Sequence, residues 1–272
     1  MASYNEIPVA ALARLIGTPD CPTLLDVRID EDFDDDPRFI PGAFRHPFKD
    51  VCELADDLTG HAVVAYCQKG LKISQGAAAL LRAAGVQAEV LEGGQFAWRD
   101  AKLPMVSTGK LPPPNASGRT VWVTRHRPKI DRIACPWLIR RFIDPKAQIL
   151  YVAASQVANV AERFDATPFD IEGVFWTHRG ETCTFDTMIE EFGIGHDALT
   201  RLAVIVRGAD TNRHDLAPEA AGLLAASLGL SRMFRDDLDQ LEAGILLYDA
   251  FYRWARDATN EGHDWPAAAT RA

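Results

Sequence analysis

Cys67 is the residue whose neighbours most favour covalent chemistry. It follows the apolar run Val63–Tyr66 and precedes a polar loop, after which a helical pattern of apolar residues begins at Ile73. The loop residues are Gln68, Lys69, Gly70, Leu71 and Lys72. Backbone N–H groups in a loop that leads from a strand into a helix, together with two lysines, create a positive field. Such a field favours the thiolate, which is the nucleophile.

A cysteine that follows a strand is more often a buried, small apolar residue than a reactive nucleophile. The loop after Cys67 is polar and basic, which favours an exposed thiol at the rim of the loop. The sequence therefore predicts a reactive Cys67, and the same N–H groups would hold an anion attached to its sulfur, such as a persulfide.

The elements that must position Cys67 are parallel-type strands. Thr23–Val27 is a second apolar strand, with Asp26 and Arg28 at its carboxyl end. Sites assemble at that edge of an α/β sheet. Asp26 and Arg28 are predicted to be supporting residues that form a structural ion pair and brace the loops.

Four motifs in this half resemble the rhodanese (sulfurtransferase) family in their expected order. They are the loop Cys67–Lys72, the strand Leu24–Arg28, the segment Ile40–Ala43 with Phe39 in place of the usual His, and Leu91–Gly94 followed by Trp98. The resemblance implies that residues 1–105 form an α/β domain with a parallel sheet flanked by helices. It also implies catalysis by Cys67, with residues 68–72 as the active loop that binds the substrate and Lys72 where Arg is frequent.

The second half begins after a segment rich in proline and glycine, residues 106–119, which is predicted to be a linker. A strand at Thr120–Thr124 leads into the densely basic stretch 125–144, in which a helix is expected to start at Pro136. This stretch is interpreted either as a solvated face with internal ion pairs or as an oxyanion or substrate pocket. Nucleic-acid binding is the third interpretation, because the whole chain is acidic. Residues 257–272 are predicted to be a loose tail.

His178 and Cys183 are candidate metal ligands. They lie within nine positions that also hold Glu181 and Asp186, after an expected strand at 173–177. Imidazole and thiolate bind zinc and similar ions. A hydrogen-bonded surface histidine is the alternative. A turn is expected at 207–211.

Residues 120–256 resemble the C-terminal domain of the chromate-resistance protein ChrB. The matching segments are Val121–Arg125, Pro128–Asp144, His178–Asp186 and Arg207–Thr211. The resemblance implies an α+β, helix-rich domain and an association with chromate or oxidative stress. In ChrB proteins a regulatory, DNA-binding-like segment precedes this domain, whereas here a rhodanese-like domain takes that place.

Composition restricts the partners. The 272 residues carry a net charge of −9, which disfavours a broad nucleic-acid-binding face. No apolar run is long enough to cross a membrane and no secretory signal is seen, so a cytoplasmic protein is expected. Five cysteines without tight spacing fit a reduced compartment. A homo-oligomer is compatible with the sequence.

The function predicted first is persulfide formation on Cys67 from a small anionic sulfur donor, followed by transfer to a thiol acceptor, with no cofactor required. The alternative is a metal- or chromate-binding stress-resistance or sensor protein, with an ion in the C-terminal domain and an accessory rhodanese domain. A cysteine phosphatase is disfavoured, because its loop needs Arg at the position that Ile73 occupies.

Overall fold

The computed structural model describes residues 5–262, so ten residues of the predicted tail, 263–272, lie outside the described part of the chain. The N-terminal half alternates strands and helices. Its strands are β1 (Glu6–Ile7), β2 (Thr23–Asp26), β3 (Arg38–Phe39), β4 (Ala43–Arg45), β5 (Ala62–Tyr66), β6 (Gln87–Leu91) and β7 (Val106–Ser107). Its helices are α1 (Val9–Leu15), α2 (Asp30–Asp35), α3 (Ala55–Leu58), α4 (Lys72–Ala83) and α5 (Gly94–Asp100).

Five of these strands form one parallel sheet in the order β1-β6-β5-β2-β4. β5 is the central strand, and its residues Val63–Tyr66 are buried, as expected for a strand covered on both faces. The carboxyl end of β5, where Cys67 follows, therefore lies in the middle of the sheet edge at which α/β proteins place their sites.

The C-terminal half combines a small parallel sheet with a larger set of helices. Its strands are β8 (Val121–Arg125), β9 (Gln148–Val152) and β10 (Thr167–Pro168), paired in the order β10-β8-β9. Its helices are α6 (Ile130–Leu138), α7 (Val157–Arg163), α8 (Thr184–Phe192), α9 (Asp197–Asp210), α10 (Glu219–Met233) and α11 (Asp237–Asp257). The predicted fold class, a rhodanese-like α/β sheet plus a helix-rich α+β part, is confirmed.

Helix α6 differs from its prediction. Pro136 lies inside it instead of in its first turn. Proline has no N–H to donate to the carbonyl four residues earlier, Arg132 O. The Tyr151 hydroxyl donates to that carbonyl instead, at 2.6 Å. A π-helical turn, Ile139–Ile143, then continues the helix, so a side chain from β9 replaces the missing bond and the helix is not broken.

Two other local predictions were wrong. Residues 173–177 do not form a strand; Trp176 makes a single bridge to Phe169, and the segment turns. Residues 207–210 are the last turn of α9 and do not form a free turn. Both errors concern segments where tertiary packing, and not local propensity, selects the backbone conformation.

The two halves share a hydrophobic core. One face of the N-terminal sheet packs with α4, and the other face, through Leu24, Val64 and Tyr66, joins a cluster that includes Trp137 and Phe142 of the second half. The fit is close at Gly17, where an added Cβ would lie 2.4 Å from Phe142 Cζ. Gly42 N donates to Phe142 O at 2.6 Å.

The segment predicted to be a linker is partly ordered by the first half. Its first two residues form β7, which pairs antiparallel with β3. Thr108 N donates to Pro37 O at 3.3 Å, so the hydrogen bonding continues one residue beyond the strand. Farther on, the Asn115 side chain accepts from Ser117 N at 2.9 Å and closes a local turn. In the described part of the chain no helix is long and apolar enough to cross a membrane.

Candidate functional sites

Cys67 lies at the carboxyl end of β5, and the loop that follows it runs into α4. Gly70 is buried in this loop and has φ +68°, which few residues other than glycine adopt. The Leu71 side chain is 62% exposed, and Lys69 and Lys72 are exposed beside it. The loop therefore presents two ammonium groups and one apolar side chain to the solvent above the cysteine.

The turn Gly93-Gly94, which follows the neighbouring strand β6, packs against the cysteine loop and fixes its position. Gln95 N donates to Cys67 O at 2.9 Å, and Phe96 N donates to Gln68 O at 2.9 Å. An added Cβ on Gly94 would lie 2.3 Å from Cys67 O, and its φ is +61°. The glycine pair is thus a direct support of the cysteine loop, because no side chain would fit between the two backbones.

The sequence predicted an exposed Cys67 thiol, and this prediction was wrong. The residue is buried, with 4% of its surface exposed. It packs with the apolar cluster between the sheet and α4, and the loop curls over it. Burial acts to raise the pKa of the Cys67 thiol. The Ser74 hydroxyl and the N–H groups of Ser74, Lys69 and Leu71 act in the opposite sense, and the pKa is lowered in sum.

Ser74 is a contributor that the sequence did not single out. Its Oγ lies 3.2 Å from Cys67 Sγ and 3.3 Å from Leu71 O. A hydroxyl has one proton, so Ser74 can donate to the carbonyl when the thiol is protonated and to the sulfur when the thiolate forms. The sequence did offer a signal for this role. Ser74 lies three residues after Leu71, in the first turn of the helix that follows the cysteine loop.

Asp26 and Arg28 form a buried ion pair, with Arg28 Nη2 2.6 Å from Asp26 Oδ2 and both side chains fully buried. Arg28 also donates to the carbonyls of Asp36 and Arg38, at 2.8 and 2.9 Å. The pair fixes the segment between α2 and β3.

This bracing reaches the cysteine loop through Gln95. The Gln95 side chain is fully buried and donates to Asp36 Oδ2 at 2.7 Å. The backbone N–H of Gln95 is the group that donates to Cys67 O. Asp36 and Gln95 therefore connect the ion pair with the loop, a role that no motif in the sequence indicated.

A second group of titratable side chains surrounds His178. Its Nε2 lies 3.5 Å from Asp131 Oδ2, 3.5 Å from Asp170 Oδ1 and 3.2 Å from Asp210 Oδ2. These residues come from four places in the chain: Asp131 from the first turn of α6, Asp170 from the segment after β10, His178 from the following turn, and Asp210 from the end of α9. We call Asp131, Asp170, His178 and Asp210 the His178 cluster.

Other groups hold these carboxylates in place. Thr184 N donates to Asp131 Oδ2 at 2.6 Å, and Thr184 Oγ1 donates to Asp170 Oδ1 at 2.9 Å. Arg132 Nε and Arg125 Nη2 lie 3.3 and 3.7 Å from Asp170 Oδ2. The start of α8 and two arginines from the basic stretch thus support the cluster.

The protonation equilibria in the cluster are strongly shifted. Burial, with the neighbouring carboxylates, raises the pKa of Asp131 to about 7. Contacts with Asp131, then Asp170 and Asp210, raise the pKa of His178 to about 12. Three carboxylates facing one imidazole thus favour a cation between them.

Cys183 has a different environment from the one predicted. It is fully buried and caps the N-terminus of α8 in a reciprocal pair with Asp186. Burial raises the pKa of both Cys183 and Cys135. Among the described residues, Asp131, Asp170 and His178 each offer one ligand atom, and these three atoms lie within 4.8 Å of one another. This group could hold a metal ion. Proximity in the sequence suggested Cys183 as a second metal ligand beside His178. In the structure, the carboxylates that surround His178 come from other segments of the chain.

The basic stretch after β8 is paired over much of its length. Arg140 contacts Glu242 at 2.6 Å and Arg141 contacts Asp249 at 2.7 Å. Arg127 donates to Phe234 O at 3.0 Å. Of the predicted interpretations, internal ion pairs describe these arginines, and of the residues in this stretch Arg125 lines the cleft beside His178.

The fold and the cysteine loop define an α/β domain of the rhodanese type, followed by a second, helix-rich unit. Residues 9–101 match the family model of the rhodanese-like domain, and residues 122–255 match that of the ChrB C-terminal domain. The chain therefore carries a rhodanese-like domain followed by a ChrB C-terminal domain, as the motifs predicted.

One relative and two solved structures are each similar to part of this chain. Protein ChrB of Cupriavidus metallidurans is 36% identical over 149 residues, which is 53% of this chain but only 44% of that protein. A rhodanese-related protein from Thermoplasma volcanium is 24% identical and covers 38% of this chain and 98% of its own, with a TM-score of 0.33. A rhodanese-like domain protein from Staphylococcus aureus is 24% identical and covers 35% and 90%, with a TM-score of 0.31.

Proposed function

We propose that this protein is a sulfurtransferase that carries sulfur as a persulfide on Cys67. The observation that supports it best is the set of donors around Cys67 Sγ: the Ser74 hydroxyl and the N–H groups of Lys69, Leu71 and Ser74, which lower the thiol pKa against the effect of burial. Donors placed in this way also stabilise the charge of a persulfide, because it carries its charge on the outer sulfur within the same loop.

The reaction balances without a cofactor. The Cys67 thiolate attacks the outer sulfur of thiosulfate, a new S–S bond forms, and sulfite leaves with the electron pair of the broken S–S bond. The persulfide then gives its outer sulfur to a second thiolate or to cyanide, and the Cys67 thiolate returns. Lys69 and Lys72, exposed at the loop, would attract the anionic donor.

The physiological setting that we propose is resistance to chromate or oxidative stress. It is supported by the ChrB C-terminal domain, which follows the sulfur-carrying domain in one chain and shares its core. A strain that lacks the gene should grow less well on chromate, and the wild-type gene should restore growth where the Cys67→Ser form does not. Equal restoration by both forms would separate chromate resistance from the sulfur chemistry.

The test of the activity is thiosulfate:cyanide sulfur transfer, followed as thiocyanate. Cys67→Ser should abolish turnover, and the matched change Cys52→Ser should leave it unchanged, because Cys52 is exposed and lies in a different segment. Absence of turnover in the folded wild type, or full turnover in Cys67→Ser, would contradict the proposal.

A further inference from the structure

We propose that the His178 cluster is a binding site for a divalent transition-metal ion, with Asp131, Asp170 and the Nε2 atom of His178 as ligands and Asp210 beside the imidazole. This inference concerns the C-terminal domain and does not depend on sulfur transfer at Cys67. Of these ligands only His178 was suggested by a local motif, because Asp131 and Asp170 come from distant positions in the chain.

The distances favour an ion over direct hydrogen bonds. Charged N–H···O bonds measure about 2.7–2.9 Å, whereas His178 Nε2 lies 3.2–3.5 Å from its three carboxylate oxygens. One imidazole N–H also cannot be directed at three acceptors. Ligand atoms around a tetrahedral ion with bonds of about 2.1 Å lie about 3.4 Å apart, close to the 3.5 Å from His178 Nε2 to the oxygens of Asp131 and Asp170. The ligand atoms of these three residues all lie within 4.8 Å of one another.

A second observation points to a missing ligand. Asp131 is 1% exposed, and its Oδ1 atom has no hydrogen-bond partner among the described groups. The other oxygen of the same carboxylate accepts from Thr184 N and faces His178. A buried carboxylate oxygen without a partner is unfavourable, and a cation bound by both oxygens of Asp131 would supply the partner.

The charge balance is compatible with a dication. Arg125 and Arg132 contact Asp170 and compensate part of the negative charge. With a neutral imidazole, three carboxylates still exceed the two guanidinium groups by one charge. A divalent ion would replace the imidazolium proton and leave the cluster with a small positive charge.

The donor set defines the class of ion. Carboxylate oxygens suit Mg²⁺, Ca²⁺ and Mn²⁺, and imidazole suits Zn²⁺ and iron. One imidazole nitrogen with the carboxylates of Asp131 and Asp170 therefore favours ions that accept both kinds of ligand, and Mn²⁺ and Zn²⁺ are the probes. His178 is 40% exposed in its side chain and lines an open cleft of about 410 Å³ together with Arg125, so an ion could enter from solvent.

The experiment measures binding of Mn²⁺ and of Zn²⁺ to the full chain, purified without a polyhistidine tag and dialysed against EDTA. Equilibrium dialysis with elemental analysis gives the stoichiometry, and thermal unfolding gives the stabilisation that binding to the native state must produce. We expect one ion per chain and a higher melting temperature with at least one of the two cations.

The variants separate this site from other imidazoles and carboxylates. His178→Gln and Asp210→Asn should each weaken binding at least tenfold, while His126→Gln and Asp215→Asn, both at exposed positions, should leave it unchanged. Asp210 is partly exposed, so its variant should fold even if changes at the buried Asp131 do not. No stoichiometric ion in the wild type, or equal affinity in His178→Gln, would overturn the proposal and leave His178 as an imidazolium among aspartates.

Discussion

At the scale of single residues, the account depends on a few donors around one sulfur atom. Burial alone would make Cys67 a poor nucleophile, as it does for Cys135 and Cys183, whose pKa values are raised. Hydrogen bonds from the loop and from Ser74 reverse this effect at Cys67. Cys67 differs from the other two because a hydroxyl and three N–H groups face its sulfur. Burial and nearby carboxylates raise the pKa of Cys135 and Cys183, and the one N–H group that Cys183 accepts from does not reverse this.

Ser74→Ala tests the contribution of the hydroxyl. A hydrogen bond to a charged group contributes about 1.5–3 kcal/mol, and one pKa unit corresponds to about 1.4 kcal/mol, so the pKa of Cys67 should rise by about one to two units. The thiolate then forms only at a higher pH than in the wild type. The pH dependence of Cys67 alkylation, followed by peptide mass spectrometry, measures the midpoint. Ser155→Ala, at an exposed position, is the control, and an unchanged midpoint in Ser74→Ala would contradict the assigned role.

The sequence predicted some of these residues and could not predict others. Cys67, its loop and the Asp26–Arg28 pair lie in contiguous motifs, so spacing was informative. Gln95, Asp36 and the aspartates around His178 act through contacts between distant segments, for example Asp131 with Thr184, 53 positions apart. No periodicity encodes such contacts, and the local proximity of His178 and Cys183 suggested a pairing in which Cys183 instead caps a helix.

At the scale of elements, two turns from neighbouring strands form the cysteine loop. The loop after β5 and the Gly93-Gly94 turn after β6 hydrogen bond to each other through their backbones. Repeated patterns of apolar residues predicted the strands and helices, but the close approach of the two turns followed from the fold. A similar element-scale contact, the Tyr151 hydroxyl on Arg132 O, keeps α6 continuous through Pro136.

Gly94→Ala tests this contact between turns. The added Cβ would lie 2.3 Å from Cys67 O and 2.4 Å from Gly70 N, both backbone atoms that cannot turn away. We expect a loss of about 1–3 kcal/mol in the free energy of unfolding and at least a tenfold slower formation of the Cys67 persulfide. Urea unfolding and single-turnover kinetics with thiosulfate measure the two effects.

Gly76→Ala is the matched control for that change. Gly76 lies within α4, an added Cβ would meet nothing within 4 Å, and alanine favours the helix by about 1 kcal/mol. Its stability should stay the same or increase, and its kinetics should match the wild type. Similar behaviour of the two alanine variants would show that the glycine turn does not hold the loop.

At the scale of the whole molecule, the two domains pack against each other through a shared hydrophobic core. They are therefore not connected by a linker alone. Phe142 of the second half contacts Gly17 and Gly42 of the first, and Arg256 donates to Arg14 O at 3.0 Å. The family resemblances predicted each half, but neither resemblance carries information about how the halves meet. Proline and glycine between them indicated a linker, whereas the start of that segment pairs with β3.

A shared core predicts cooperative unfolding. Hydrogen exchange followed by mass spectrometry at increasing urea should show β5 and α6 losing protection at the same urea concentration. Phe142→Ala should lower both midpoints together, with a loss of about 3–5 kcal/mol in the free energy of unfolding. Two separate midpoints, or a shift of α6 alone, would show that the halves are energetically independent.

The measurement that tests the central claim most directly is the intact mass of the protein after treatment with thiosulfate under non-reducing conditions. The wild type and Cys52→Ser should gain the mass of one sulfur atom, located on Cys67 by peptide mapping, and cyanide should remove it with release of thiocyanate. Cys67→Ser should gain nothing. A folded wild type that gains no sulfur, or a gain that persists in Cys67→Ser, would contradict persulfide chemistry at Cys67.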